Sequence, residues 1–119
     1  MYNELLQATK KLNEYNDKSL KHIEKVKAIE EVEEADFFNV VKPFADEVKE
    51  VADAWRELAL VWIKNEKPKY IHKLQIDTGH ENILAVSIQG FYKSTGLKRF
   101  KDTVQSNKYL LDNIINKLQ

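Results

Sequence analysis

Apolar residues recur at three- and four-residue intervals in four stretches of this chain, separated by short polar or proline-containing breaks. In the first, Leu5, Leu12, Leu20, Ile23 and Val26 fall on one stripe and predict a helix from about Asn3 to Lys27. Thr9, Asn16 and Ser19 occupy intervening positions on that stripe. Such groups either form a hydrogen-bonded layer that sets helix register or line a wet pocket for a small ligand.

An acidic connector follows, Glu30 to Asp36, which reads as a solvated charge run. Asp36 is placed to cap the next helix, where negative charge is favoured. The second stretch carries the longest stripe: Phe37, Val41, Phe44, Val48, Val51, Ala52, Trp55, Leu58, Ala59, Trp62 and Ile63. The stripe stays in phase across Pro43. This predicts a helix kinked or broken near Pro43, with a short first piece ending near Lys42 and the proline in the first turn of the long piece. Leu60 and Val61 point off the stripe.

The chain then turns at Asn65–His72. Asn65 tolerates a left-handed backbone and is positioned to end the helix. Pro68 removes a donor and biases Lys67 toward an extended conformation. So short a connection makes its flanking helices antiparallel neighbours. Pro68, Tyr70 and His72 read as structural, with the Tyr70 and His72 side chains satisfying groups left open at the two helix ends.

The third helix is expected from about His72 to Tyr92. Its main face holds Ile76, Gly79, Ile83, Val86, Ser87 and Gly90, and a weaker stripe holds Leu74, Ala85, Ile88 and Tyr92. Two glycines on one face permit close approach of a neighbour. After the turn Ser94-Thr95-Gly96, a fourth helix spans about Leu97 to Leu118. Phe100, Val104, Leu111, Ile114 and Leu118 line one face, joined by Leu110 and Ile115, with Thr103 and Asn107 as inward polar positions. The pattern as a whole predicts an all-α, four-helix up-and-down bundle.

Composition narrows the classes. A length of 119 residues suits one domain spanning 1–119, and only three glycines and two prolines favour helices. Cysteine is absent, which removes disulfides and thiolate metal sites. Nineteen basic side chains balance nineteen acidic ones, against the positive surface that nucleic acid requires. With no basic, apolar leader and no stretch near the roughly 20 apolar residues of a membrane span, a cytoplasmic location is expected. The basic cluster Lys67, Lys69, Lys73 lies at the opposite end of such a bundle from Lys98, Arg99, Lys101. The latter shares its end with the acidic connector, and pairing within the fold accounts for both.

Several pieces from Asp36 onward carry a resemblance: Asp36-Phe37-Phe38, Lys42-Pro43, Trp55, Pro68-Lys69-Tyr70-Ile71-His72-Lys73 with Gln75-Ile76, and Lys98-Arg99-Phe100-Lys101. Together they resemble the YppE-like family of small proteins from low-GC Gram-positive bacteria, over roughly residues 36 to 104. The resemblance implies a four-helix up-and-down bundle in the cytoplasm. It implies no activity and brings no functional residues with it.

Candidate chemistry is sparse. Asp77-Thr78-Gly79-His80 approximates one half of a di-metal carboxylate motif, but no second half exists. His22, His72 and His80 share no ligand spacing. His72 lacks a nucleophile or carboxylate near it in sequence, so no catalytic role is expected, and neither metal nor cofactor. Two surfaces remain. Leu60, Val61, Leu74, Ile88 and Tyr92 are candidate contacts for a protein partner or a second copy, which points to a non-enzymatic interaction module. Asn16, Ser19, Ser87, Thr103 and Asn107 are candidate walls of a polar pocket, the alternative being a ligand-binding bundle.

Overall fold

The computed structural model describes residues 1–30 and 35–119. Among the described residues there are four α-helices: α1 (Asn3–Ala28), α2 (Lys42–Glu66), α3 (Lys73–Gln89) and α4 (Leu97–Leu118). They run up and down in an elongated body of 51 × 26 × 21 Å. Each packs against its neighbour, α4 closes back on α1, and α1 also touches α3 across the diagonal.

A π turn, Phe37–Val41, leads directly into α2. Asp36 caps it: its carboxylate accepts from the Asn39 backbone N–H at 3.1 Å and from the Asn39 side chain at 3.0 Å. The N–H groups of Val41 and Lys42 reach back five residues, to Asp36 and Phe37. Pro43 explains the widening. Its ring crowds the carbonyl four residues earlier, that of Asn39, and it offers no N–H to that carbonyl. The proline itself sits in the first turn of α2, where no donor is lost. Phe37 was expected on the inward stripe but is 45% exposed, because the wider turn rotates it out of phase.

The core follows the stripes. Leu5, Leu12, Val48, Trp55, Trp62, Ile76, Ile83, Leu111 and Ile114 are buried together, and Ile23, Val86, Phe100 and Val104 form a second cluster. Tyr15, off the expected stripe of α1, is also buried. Its hydroxyl escapes to the rim and donates to Glu47 at 2.9 Å. Burial first, and the Glu47 carboxylate beside it, push that hydroxyl up to about 12.

Gly79 of α3 and Gly90, which caps its C-terminus, set how closely the helices pack. A Cβ on Gly79 would lie 2.6 Å from Leu110 Cδ2 and 3.6 Å from the Trp55 ring. A Cβ on Gly90 would lie 2.9 Å from the backbone oxygen of Ser19. Gly90 therefore makes the diagonal contact between α1 and α3 possible.

The corner between α2 and α3 differs from expectation. Asn65 lies within α2, and Lys67 ends the helix in the left-handed conformation (φ 46°, ψ 56°), not an extended one. Pro68 follows this left-handed cap, a common place for a residue that cannot continue a helix. Tyr70 is also left-handed, at φ 67°, and its side chain is 80% exposed, so it does not pack the corner. His72 is exposed as well, and its backbone N–H donates to Gln75 Oε1 at 2.7 Å at the start of α3. The anchor is Ile71, which is buried.

These contacts predict a ranking of substitutions. Gly90→Ala should cost about 1–3 kcal/mol, because a backbone carbonyl cannot swing aside. Gly79→Ala should cost less, since the end of the Leu110 side chain can move and alanine favours helix. Lys67→Gly should gain up to about 1 kcal/mol by relieving the left-handed backbone. Tyr70→Phe should fall within about 0.5 kcal/mol of the parent. Urea melts of the four variants check the order.

Candidate functional site

The inward polar residues turn back on the fold. Thr9, Ser19, Ser87 and Thr103 each donate to a carbonyl of their own helix, at 2.6, 2.9, 2.6 and 3.0 Å. The Thr9 hydroxyl also accepts from Trp55 Nε1 at 3.1 Å. Asn16 and Asn107 form a buried bridge between α1 and α4. Asn107 Nδ2 donates to Asn16 Oδ1 at 3.1 Å, and Asn16 Nδ2 donates to the Val104 carbonyl at 3.0 Å. Asn16, Ser19, Ser87, Thr103 and Asn107 therefore do not surround one pocket. Asn107 and Thr103 instead reach two successive cavities along the α3–α4 seam.

Nor do the off-stripe apolar residues make one surface. Leu60 is half-buried against the core. Val61, 55% exposed, lines a groove with the start of α1, whereas Leu74, 75% exposed, faces α4. Ile88, 41% exposed, lies at the far end of α3, and Tyr92 is half-buried in the α3–α4 connection. Two helices and a connection, each facing different neighbours, scatter what a flat pattern groups together.

The Asp77–His80 pair is divided between two partners on α2. Asp77 meets Arg56 and Lys73, both at 2.8 Å, while His80 Nε2 lies 2.7 Å from Asp53, which Lys49 also holds at 2.6 Å. Lys73 first and then Arg56 hold the Asp77 carboxyl below its ordinary range; Lys49 and then His80 do the same for Asp53. Among the described residues no three His, Asp or Glu side chains converge as metal ligands. Lys98, Arg99 and Lys101 make no ion pair among the described residues. Their expected pairing with the acidic connector falls largely on Glu31–Glu34, outside them.

His22 sits in an aromatic cluster. Its ring stacks on Phe91 with centroids 4.4 Å apart and meets Phe44 edge-on at 4.9 Å. Its Nδ1 is buried without a hydrogen-bond partner. Burial chiefly, then Lys18 and Lys25, push its pKa down.

Two exposed features remain. One is the π turn, where Phe38 is 77% and Val40 49% exposed, and the Phe37 and Phe38 rings meet edge to face at 5.4 Å. The other is a groove of about 310 Å³ between α3 and α4, walled by Leu74 and Tyr109. A second cavity of about 440 Å³ continues it past Asn82, and there Arg99 is the only charged lining residue among those described. Neither feature was singled out in sequence, though a signal existed. Leu74, Thr78 and Asn82 on α3, and Ser106, Tyr109 and Asn113 on α4, are uncharged positions at helical spacing in a chain that is 32% charged.

The fold and its buried polar layer define an antiparallel four-helix bundle. The chain belongs to the bacterial family described as a domain of unknown function, DUF1798, whose pattern matches residues 9–118. It is 42% identical over 76 residues to the uncharacterized protein YppE of Bacillus subtilis, a match spanning 64% of this chain and 62% of that protein. A crystal structure of a Listeria innocua protein of unknown function superposes with a TM-score of 0.90 at 32% identity, covering 99% of this chain and 95% of the other. The crystal structure of B. subtilis yppE gives 0.89 at 33% identity, covering 98% and 93%. The family match takes in most of α1, beyond the stretch of residues 36 to 104 that carries the resemblance in sequence.

The His22 environment predicts a pH dependence. The neutral ring contributes stability that is complete above the unfolded pKa of about 6.5 and is lost as pH falls through the lowered folded value. Melting temperature should therefore drop as pH falls below about 6.5 toward the lowered folded value. His22→Phe keeps the stacking and should flatten that step in a series of thermal melts.

Proposed function

We propose that this protein is a non-enzymatic interaction module of the bacterial cytoplasm, and that it holds its partner through Phe37, Phe38 and Val40. The observation that supports this is the exposed apolar knob on the π turn. Two aromatic rings and a valine, contiguous on one tight turn, are held in solvent by a capped and proline-limited backbone. Contiguous exposed apolar surface marks interaction sites, and aromatic anchors carry most of the energy at interfaces.

The perturbed titratable groups support a non-catalytic reading. Asp36 caps a turn, Asp53 and Asp77 hold α3 to α2, Tyr15 bonds Glu47, and His22 packs among rings. The balanced charge favours a protein partner, either another protein or a second copy of this one, over nucleic acid. No helix among the described residues is long and apolar enough to cross a membrane.

A photo-crosslinking residue at Phe38 should capture one partner in cells, whereas the same residue at exposed Lys64 should not. Phe38→Asp should weaken that complex at least tenfold, as loss of an anchor does, and change stability by less than about 0.5 kcal/mol. Equal capture at both positions would remove the knob from consideration.

A further inference from the structure

We infer that His22 is a proton-operated latch at one end of the bundle. Neutral, its ring joins α1 to the start of α2 and to the α3–α4 connection. Protonated, it leaves the cluster, and that end loosens while the rest stays folded. The latch stands apart from the Phe38 contact site proposed above. It rests on where three rings meet. His22 lies near the end of α1, Phe44 in the first turn of α2, and Phe91 just past α3. The imidazole makes the two closer contacts: its centroid is 4.4 Å from that of Phe91 and 4.9 Å from that of Phe44, whereas the two phenylalanines are 5.7 Å apart.

One atom makes this contact depend on charge. His22 Nδ1 is buried and has no hydrogen-bond partner among the described residues. A neutral imidazole tolerates this when Nε2 carries the proton, because Nδ1 is then only an unused acceptor. Protonation puts an N–H on Nδ1 and a positive charge on the ring, both held against two phenylalanines without an acceptor. The charged groups around it do not offset that cost. Lys18 and Lys25, on α1 itself, repel the cation. On α2, Lys42 and Asp46 pair with each other at 2.6 Å, and Glu47 accepts from the Tyr15 hydroxyl. In the connection, Lys93 adds a further positive charge and donates to the Ile29 carbonyl. Among the described residues only His80 has a carboxylate partner, Asp53 on the α2–α3 seam. The Phe91 face attracts a cation, but less than full hydration does, and the half-buried ring is a short rotation from water.

The release is local. The connection stays tied to the end of α1 by Lys27, which donates to the Lys93 carbonyl at 2.6 Å, and by the Lys93 bond to Ile29. The buried cluster around Trp55, Leu111 and Ile114 includes neither His22 nor Phe91. What loosens is the packing of Phe91 and Phe44, beside the π turn that leads into α2.

An NMR titration of the full chain, from about pH 7.5 down to about 5, tests the latch. At the upper end His22 should be the Nε2–H tautomer, with nuclear Overhauser contacts to Phe91 and Phe44. As pH falls, those contacts should vanish and the Phe91 and Phe44 ring shifts should follow the His22 titration. The amides of Phe91 and Tyr92, bonded to the Ile88 and Gln89 carbonyls, should lose about tenfold in exchange protection. The Trp55 indole N–H should hold its position throughout. His22→Phe should keep the cluster closed over the whole range, although His72 and His80 still titrate. Phe91→Leu removes the stacking face and should bring the His22 pKa back up toward about 6.5. Ring contacts that persist around a protonated His22, or a neutral Nδ1–H tautomer, would overturn the inference. So would a Trp55 signal that moves on the same curve, which is global unfolding, a pH response that survives in His22→Phe, or a His22 pKa unmoved by Phe91→Leu.

Discussion

Trp55 is where the four helices meet. Its ring is fully buried on α2, its Nε1 donates to Thr9 on α1, and its edge lies under Gly79 of α3 beside Leu110 of α4. The indole needs a polar partner in a dry core, and the Thr9 hydroxyl supplies one while donating to its own helix. A large ring held this way sets the depth to which α3 can approach. A Cβ at Gly79 would lie in ordinary contact with the ring, at 3.6 Å, but would displace the end of Leu110, so Gly79 gives up some helix propensity for packing. The same bare position forms the floor of the α3–α4 groove, which links the packing of the core to the shape of the surface.

The buried polar groups select one arrangement among many. Apolar stripes on four helices can slide by a turn without losing much area. The Asn16–Asn107 bridge cannot, because a slip would leave two buried amides unpaired, at about 1–3 kcal/mol for each. On the α2–α3 side the Arg56–Asp77 and Asp53–His80 pairs favour the same register from a more solvated position.

The two surfaces arise from different constraints. At the π turn, Pro43 forces a wider coil and rotates Phe37 away from the core that its spacing would have given it. Along the groove, small and amide side chains on facing helices keep the seam from closing. Neither surface involves the residues ion-paired between α2 and α3.

Much of the architecture was legible in the chain itself. The helical period located all four helices and most of the core, because burial of one face is a local, periodic requirement. Asp36 as a cap and Pro43 in a first turn were equally readable, since each follows from the chemistry of a residue and its immediate neighbours. The corner was not: Lys67 and Tyr70 adopt left-handed backbones that neither side chain favours, imposed by burying Ile71 and returning α3 onto α2. Whether Asn16 and Thr9 lined a wet pocket or bonded within the core depended on what α2 and α4 placed opposite them. The scattered fate of Val61, Leu74 and Ile88 had the same origin. A helix's own sequence states which residues share a face, but the neighbour that covers or spares that face is chosen by long-range packing.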